Sequence, residues 1–280
     1  MALALTLGLT GCAGTGAHGG PRDLLDHVAD DGSLVDAAFK PDRTTRLVAL
    51  RALARLPADA NSALVLERVR SEQDPEILRW LAFAASRWQL DGSATALRVL
   101  AAHPTASVRA AGLDGLSRLG DDTLTPALLA GLNDEDGSVR RAAALGLFRL
   151  DGRRYEHPRL ADEATLAARD VALTEAALTD IDDGVRWRAV YALAGVRPRA
   201  SHSQVLRLAL GDDSPALARV FALRGLGAHA AAGLTDVTDD ARRLVDDPDE
   251  RVAIEALLLL GTYAPVGEAA SVAVQAASAH

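Results

Sequence analysis

The residue types that carry out catalysis are present in this chain, but they are not spaced as catalysis needs them. The sequence has seven histidines and a single cysteine, Cys12. Zinc-binding histidines on one helix stand four residues apart, as in a HExxH frame, and no two histidines here do. We find no glycine-rich phosphate loop after a strand and no G-x-S-x-G elbow. The sequence therefore predicts no catalytic, cofactor-binding or metal site, and we expect that the protein is not an enzyme.

Many of the carboxylates lie in short turns before apolar helical stretches. In residues 134–150, DEDGSVRRAAALGLFRL, an Asp-rich turn precedes a helix with Val139, Ala143 and Leu147 on one stripe at 3.6-residue spacing. Negative charge is favourable near a helix N terminus because the helix dipole is positive there. We therefore interpret these aspartates as structural residues and not as general acids or bases.

The same unit recurs seven times along the chain. Taking Val139 as position zero, the equivalent anchors are Thr45, Leu78, Val108, Val139, Val185, Ala218 and Val252. Position +4 always holds a small residue: Ala49, Ala82, Gly112, Ala143, Ala189, Ala222 and Ala256. Position +8 is Leu in every copy except the second, which has Ser86. Closely packed helices need a small side chain where their backbones approach and large aliphatic side chains beside it.

The spacing of the anchors predicts the fold class. Successive anchors are 33, 30, 31, 46, 33 and 34 residues apart, which is the range typical of solenoids. One such unit cannot bury both of its faces, so the units must stack. Only 4% of the residues are aromatic, which favours an Ala-, Leu- and Val-rich helical core over a sheet. We therefore predict an all-α solenoid of about seven helix pairs plus a terminal helix.

The pattern D-x-D-x-x-V-R-x-A-A-x-x-x-L resembles the short bacterial HEAT repeat of the phycobilisome-lyase type over roughly residues 34–263. The resemblance implies a right-handed α-α superhelix in which turn aspartates and first-turn arginines form a ladder between neighbouring repeats. The matching aspartates are Asp74, Asp134, Asp136, Asp182, Asp213 and Asp247. The matching arginines are Arg46, Arg79, Arg109, Arg140, Arg186 and Arg219, and the last repeat has Ala253 instead.

The N terminus has features of an export signal. Residues 1–11 are apolar and uncharged, too short to span a bilayer, and similar to the hydrophobic part of a secretory signal. Leu9-Thr10-Gly11-Cys12 resembles the bacterial lipobox, which implies cleavage before Cys12 and a lipid on its sulfur. The basic n-region is missing, so either the true start lies upstream of Met1 or the segment is not a signal. The expected location is the cell envelope on the periplasmic side, or the cytoplasm in the second case.

These features divide the chain into four predicted regions: a signal segment at residues 1–12, a Gly-rich flexible tether at 13–21, the solenoid at 22–266 and a terminal helix at 267–280. The terminal helix is expected either to cap the array or to begin a further repeat. The long spacing of 46 residues places an insertion near Tyr155, Glu156 and His157. A surface loop of tolerated length explains such an insertion, and a functional loop is the alternative.

The second helix of each pair is expected to line the concave side, with positions +2 and +6 facing outward. Trp, Tyr and Arg, the residue types that dominate interface hot spots, occur in these columns. The candidate partner-binding residues are Trp80, Arg141, Trp187, Tyr191 and Arg224. The alternative is that Trp80 and Trp187 pack on the adjacent repeat and fill gaps beside small side chains.

Composition and resemblance together favour a binding protein. A formal net charge of −8 disfavours nucleic acid, whose binding depends on neutralising phosphates. The first hypothesis is a non-enzymatic scaffold, lipid-anchored through Cys12 and bound to a protein partner on its concave face. The second, from resemblance to bacterial HEAT arrays that precede a cyclophilin-type prolyl isomerase, is the N-terminal segment of a larger enzyme whose catalytic domain is absent. No motif supports a HEAT-type bilin lyase, and the acidic charge conflicts with a HEAT-like DNA glycosylase.

Overall fold

The computed structural model describes residues 34–58, 62–120, 122–154, 162–195, 198–265, 267 and 271, and these residues contain helices and no strand. The α-helices are α1 (Leu34–Ala38), α2 (Arg43–Leu53), α3 (Ser62–Glu67), α4 (Pro75–Trp88), α5 (Ser93–Ala101), α6 (Ala106–Leu119), α7 (Thr125–Gly131), α8 (Gly137–Arg154), α9 (Glu163–Thr179), α10 (Asp183–Ala194), α11 (Ala200–Leu208), α12 (Ala216–Ala231), α13 (Thr238–Arg243) and α14 (Glu250–Tyr263). Short 3-10 turns cover Arg68–Arg70 and Asp122–Leu124.

The chain forms two compact units, Met1–Leu53 and Ala54–His280. In the first unit α1 packs against α2. In the second unit each odd-numbered helix from α3 to α13 packs against the helix that follows it, and the even-numbered helices from α4 to α14 contact one another in sequence. The second unit is therefore a stack of helix pairs with a first-helix layer and a second-helix layer. The prediction of an all-α solenoid is confirmed.

The repeat columns are buried as predicted. At position +4 every alanine from Ala49 to Ala256 is at most 1% exposed. At Gly112, in the same column, an added Cβ would overlap the backbone nitrogen of Ala101 and lie 2.8 Å from its Cα. Any side chain at Gly112, even a methyl group, would therefore push the α5 and α6 backbones apart. At position +8 the leucines from Leu116 to Leu260 are at most 1% exposed.

Aspartates begin many of the helices. The side chain of Asp74 accepts hydrogen bonds from the backbone N–H groups of Glu76 and Ile77 at the start of α4. Asp182 accepts from Val185 N in α10, and Asp249 accepts from Arg251 N in α14. These bonds satisfy donors that have no partner within the helix, which is the usual contribution of an N-cap aspartate.

The predicted ladder between neighbouring repeats exists, and its arginines make paired contacts. Arg109 donates through Nε and Nη2 to the two carboxylate oxygens of Asp134, both at 2.8 Å. Arg140 donates in the same way to Asp180, at 2.7 and 2.9 Å. Arg219 donates through Nη2 to Asp247 at 2.9 Å. Such bidentate, charge-assisted bonds fix orientation as well as contributing energy.

The prediction was wrong about some of the aspartates that accept from the ladder arginines. The partner of each of these arginines stands five residues before the next anchor, so Asp180 and not Asp182 accepts from Arg140. The aspartate three residues before the anchor is occupied in the turn: Asp136 accepts from Ser138 N, and Asp182 caps α10. Asp213 contributes its backbone carbonyl, which accepts from Arg186 at 3.1 Å. Asp74 accepts from two backbone N–H groups at the start of α4.

Several predictions concern residues outside the described part of the chain. These are the signal segment with Cys12, the tether at 13–21, the loop residues Tyr155, Glu156 and His157, and the terminal helix apart from residues 267 and 271. The predicted boundaries of the four regions therefore stay predictions. Among the helices of the described residues, none combines the length and the hydropathy that crossing a bilayer requires.

Candidate partner-binding surface

One arc of each second helix faces away from the repeat columns. With about 100° between successive residues, positions 0, +4 and +8 fall in one half-circle, and positions +2, +3, +6 and +9 fall in the other. The first set is the buried set described above, so the second set remains for other contacts. Position +5 lies at the border, and its aromatic member Phe83 is 40% exposed.

Four aromatic side chains from three successive second helices meet on this arc. Phe148 of α8 lies 4.3 Å from Tyr191 of α10, measured between ring centroids. Tyr191 lies 4.7 Å from Phe221 of α12, and Trp187 of α10 stacks on Phe221 at 5.7 Å with an interplanar angle of 25°. All four residues are only partly buried. We call Phe148, Trp187, Tyr191 and Phe221 the aromatic cluster.

Three arginines border the aromatic cluster. The guanidinium carbon of Arg188 lies 4.1 Å from the centroid of the Trp187 ring, within the range of a cation–π interaction. Arg224 lies 5.6 Å from the Phe221 ring and donates through Nε to Glu255 at 2.7 Å. Arg141 Nη1 lies 3.4 Å from a carboxylate oxygen of Asp182. The surface thus combines apolar rings with planar cationic donors.

The electrostatic environments of these arginines differ. Burial, followed by the nearby charge of Arg141, lowers the pKa of Arg188, and Asp182 opposes the shift in part. The hydrogen bond to Glu255 raises the pKa of Arg224. The surroundings of Arg188 therefore stabilise its charged form less than those of Arg224 do. Both arginines remain protonated at neutral pH, because arginine titrates only far above it.

A glycine makes the approach of two of these arginines possible. A Cβ on Gly184, at the start of α10, would lie 2.7 Å from Cδ of Arg141 and 3.2 Å from its Nη1. Arg188 donates from Nη1 to the Gly184 carbonyl oxygen at 2.8 Å. Gly184 therefore leaves space for the Arg141 side chain and accepts a hydrogen bond from Arg188, so both guanidinium groups converge on one point of the surface.

A family model described as HEAT repeats matches residues 62–147 and 93–194. This part of the chain consists of HEAT repeats. The matched HEAT repeats include α8 and α10, which contribute Phe148, Trp187 and Tyr191 to the aromatic cluster.

A solved structure with the same helical-repeat fold matches this chain at low sequence identity. An engineered protein determined by a structural genomics consortium is 21% identical, with a TM-score of 0.50, and the match covers 87% of this chain and 71% of that one. The structure of human deoxyhypusine hydroxylase in complex with glycerol is 18% identical, with a TM-score of 0.41, and the match covers 92% of this chain and 91% of that one. The first likeness concerns the helical-repeat fold alone. No curated protein matches the sequence significantly.

Of the five candidate residues, the fold brings four to one region and places the fifth apart. Trp187, Tyr191, Arg141 and Arg224 lie in or beside the aromatic cluster. Trp80 lies on α4, where it contacts the Phe83 ring at 5.8 Å and the Arg55 guanidinium at 4.8 Å. Trp187 also packs on the adjacent repeat through Phe221. Its side chain is therefore packed against a neighbour and partly exposed at the same time.

The prediction that positions +2 and +6 all face outward was wrong for three residues. Leu47, Ala84 and Val220 are 8%, 1% and 4% exposed. A helical side chain leans toward the helix N terminus, so a large residue four positions later shields a smaller one. Arg224 follows Val220 at this spacing, and Trp88 follows Ala84. The outward columns therefore depend on the size of the next residue along the stripe.

The columns chosen from the sequence missed three residues of the surface. Arg188 and Phe221 stand at position +3, and Phe148 stands at position +9. A signal was present, because helical geometry puts +3 and +9 on the same arc as +2 and +6. Two of the chain's four phenylalanines therefore belong to a surface that the candidate list described only through Trp, Tyr and Arg.

A second group of polar side chains lies between α9, α11 and α12. The Asp170 carboxylate accepts from Arg169 and Arg199 and lies 2.9 Å from Nε2 of His202. Burial opposes its ionisation, but the hydrogen bonds from His202 and Arg169 outweigh this and lower the pKa of Asp170 to about 2. His229 donates from Nδ1 to the Gly225 carbonyl at 2.7 Å and accepts at Nε2 from the Arg199 backbone N–H at 3.2 Å. This network joins three helices and is structural.

Among the described residues, no three histidine, cysteine or acidic side chains are grouped so that they could hold a metal ion.

Proposed function

We propose that this protein is a non-enzymatic interaction scaffold whose HEAT repeats bind a protein partner through the aromatic cluster and its bordering arginines. One observation carries the proposal: four aromatic rings from three successive second helices touch one another while staying partly exposed. Buried Ala, Leu and Val columns already join these helices. The four aromatic rings therefore add to a packing of the repeats that the Ala, Leu and Val columns already provide.

The residue types support a binding role for this surface. Interface hot spots are enriched in Trp, Tyr and Arg and lie in the centre of a patch that excludes water when the partner binds. Tyr191 lies between Phe148 and Phe221, Trp187 stacks on Phe221, and Arg188 and Arg224 lie at the edge. The fold agrees with this role, because the second helices of a solenoid form an extended binding surface.

Substituting Trp187 with alanine is expected to weaken binding of the partner by about tenfold or more, since truncating a hot-spot residue costs about 2 kcal/mol or more. The measurement is quantitative capture of the partner by wild-type and variant protein of equal helical content. Leu208→Ala, at a 57% exposed position of α11 in the first-helix layer, is the control and should leave capture unchanged. Unchanged capture by folded Trp187→Ala would contradict the proposal.

We further propose that the scaffold is held at a membrane of the cell envelope by a lipid on Cys12, with residues 13–21 as the tether. The lipobox-like sequence before Cys12 and the absence of any other cysteine support this assignment. Cys12→Ala is expected to move the protein from the membrane fraction to the soluble fraction. Equal membrane association of the two forms, measured by fractionation, would show that no lipid on Cys12 is needed.

A further inference from the structure

The proposed surface is locally cationic in a chain that is acidic overall. Two of the three bordering arginines are paired with carboxylates: Arg141 with Asp182 and Arg224 with Glu255. The third is Arg188. The chain as a whole has a formal net charge of −8. A local excess of positive charge within an acidic protein favours the approach of an anionic ligand to this surface.

Arg188 is the arginine that provides this excess. Among the residues that the structure describes, no carboxylate forms an ion pair with it. Its contacts are the Trp187 ring, at 4.1 Å, and the carbonyl oxygen of Gly184, at 2.8 Å. These contacts hold the guanidinium plane in place and use one of its five N–H donors, so most of its donors stay available. An arginine fixed in this way is prepared for a planar, bidentate partner such as a carboxylate.

Arg141 approaches the same point from the neighbouring repeat. Both side chains reach Gly184, and the charge of Arg141 is among the causes that lower the pKa of Arg188. Two like charges in a partly desolvated place repel each other, and one carboxylate, that of Asp182, lies beside them. An added carboxylate would be attracted by both guanidinium groups and would relieve this repulsion.

The apolar part of the ligand follows from the rings next to these arginines. Trp187 stacks on Phe221, and Tyr191 contacts Phe221. These rings form an apolar surface next to the Arg188 guanidinium, which contacts Trp187. Burying an aromatic or aliphatic side chain of the ligand against these rings would exclude water from the neighbouring ion pairs and strengthen them. The ligand therefore needs a carboxylate and an apolar side chain close together in one segment.

We infer that the surface binds an acidic segment of a partner protein, in which carboxylates pair with Arg188 and Arg141 while a neighbouring aromatic or aliphatic side chain packs on Trp187 and Phe221. This inference rests on the proposed function, since it names the partner class for the same surface. Because part of the attraction is between charges at the surface, binding weakens as salt rises.

Selection from a library of random short peptides, displayed on phage and panned on the full chain, tests the inference. The enriched peptides are expected to be acidic and to contain an aromatic or large aliphatic residue. Their affinity should fall about tenfold or more in Arg188→Gln, because the pairing is a charge-assisted hydrogen bond. Arg242→Gln, which removes the same charge from an exposed position on α13, is the matched control and should bind as wild type does.

Each other outcome has a defined meaning. Neutral or basic enriched peptides whose binding is lost in Trp187→Ala would overturn the acidic-segment inference and leave the proposed function standing. Absence of enrichment, or enrichment that Trp187→Ala does not alter, would overturn both. Phosphatidylglycerol vesicles form a separate arm: vesicle binding that depends on Arg188, without acidic peptides being enriched, would assign the site to an anionic lipid surface and contradict the inference.

Discussion

Arg140→Ala is expected to lower the free energy of unfolding by about 3–5 kcal/mol, the cost typical of removing one partner of a buried ion pair. The side chains of Arg140 and Asp180 are 12% and 8% exposed, and two hydrogen bonds join them. Arg140 also donates from Nη1 to the carbonyl oxygens of Asp134 and Glu135. The substitution therefore leaves Asp180 buried without its cation and frees two carbonyls of a tight turn.

The pKa of Asp180 is consistent with this dependence. Burial raises it, but the hydrogen bonds from Arg140 and from the Asp182 N–H, together with the charges of Arg140 and Arg186, outweigh burial, so the pKa of Asp180 is below its ordinary value. Arg242→Ala is a suitable control, because Arg242 pairs with Asp239, whose side chain is 96% exposed. Exposed pairs contribute about 0–1 kcal/mol. Equal losses for the two variants in urea unfolding would show that the ladder does not hold the repeats together.

Leu147→Ala is expected to cost about 2–5 kcal/mol, as is usual when a buried leucine is truncated and a cavity remains. Leu147 is 1% exposed and lies at position +8 of α8. This helix contacts α6, α7 and α10, so a cavity there weakens the packing with two neighbouring repeats. In a stacked array, loss at one interface lowers the cooperativity of the whole unit.

Two variants separate this cost from general effects of substitution. Leu258→Ala makes the same chemical change at a residue of α14 that is 60% exposed, and it should cost less than about 1 kcal/mol. Arg141→Ala, on the same helix as Leu147, removes a side chain that is 41% exposed and should also cost little. A Leu147→Ala melt that matches either control would show that the repeat columns are misassigned.

The core could be predicted from the sequence because it depends on a periodicity that is written in the residues. Ala143 and Leu147 occupy columns that recur in every unit, and helical geometry alone puts them on one face. Phe83 stands at position +5, where the helix turns from the buried arc to the open one, and it is 40% exposed. Burial at such a border depends on the neighbouring helix and cannot be obtained from one helix alone.

The ladder partner could not be chosen from the sequence alone. Asp180 and Asp182 both lie in the turn before α10, and the pattern D-x-D offers either to Arg140. The path of the turn decides, since Asp182 points into its own helix to cap Val185 N while Asp180 meets the preceding repeat. The sequence shows the two aspartates but not the direction in which each leaves the backbone.

The aromatic cluster was predictable in part. Trp187 and Tyr191 share a stripe of α10 because they are four residues apart, which is a property of a single helix. Their contacts with Phe148 and Phe221 depend on how far successive second helices are displaced along each other. That displacement is set by packing throughout the stack, so the sequence indicates the type of surface and the structure indicates its members.

Hydroxyl-radical footprinting of the free chain and of its complex with the captured partner tests the central claim most directly. The claim is that second helices of successive repeats present Trp187, Tyr191 and Phe221 as one surface that the partner covers. We expect these residues to be oxidised in the free chain and protected in the complex, while Trp80 on α4 is oxidised equally in both. Protection of Trp80 with no protection of Trp187 and Tyr191 would contradict the account.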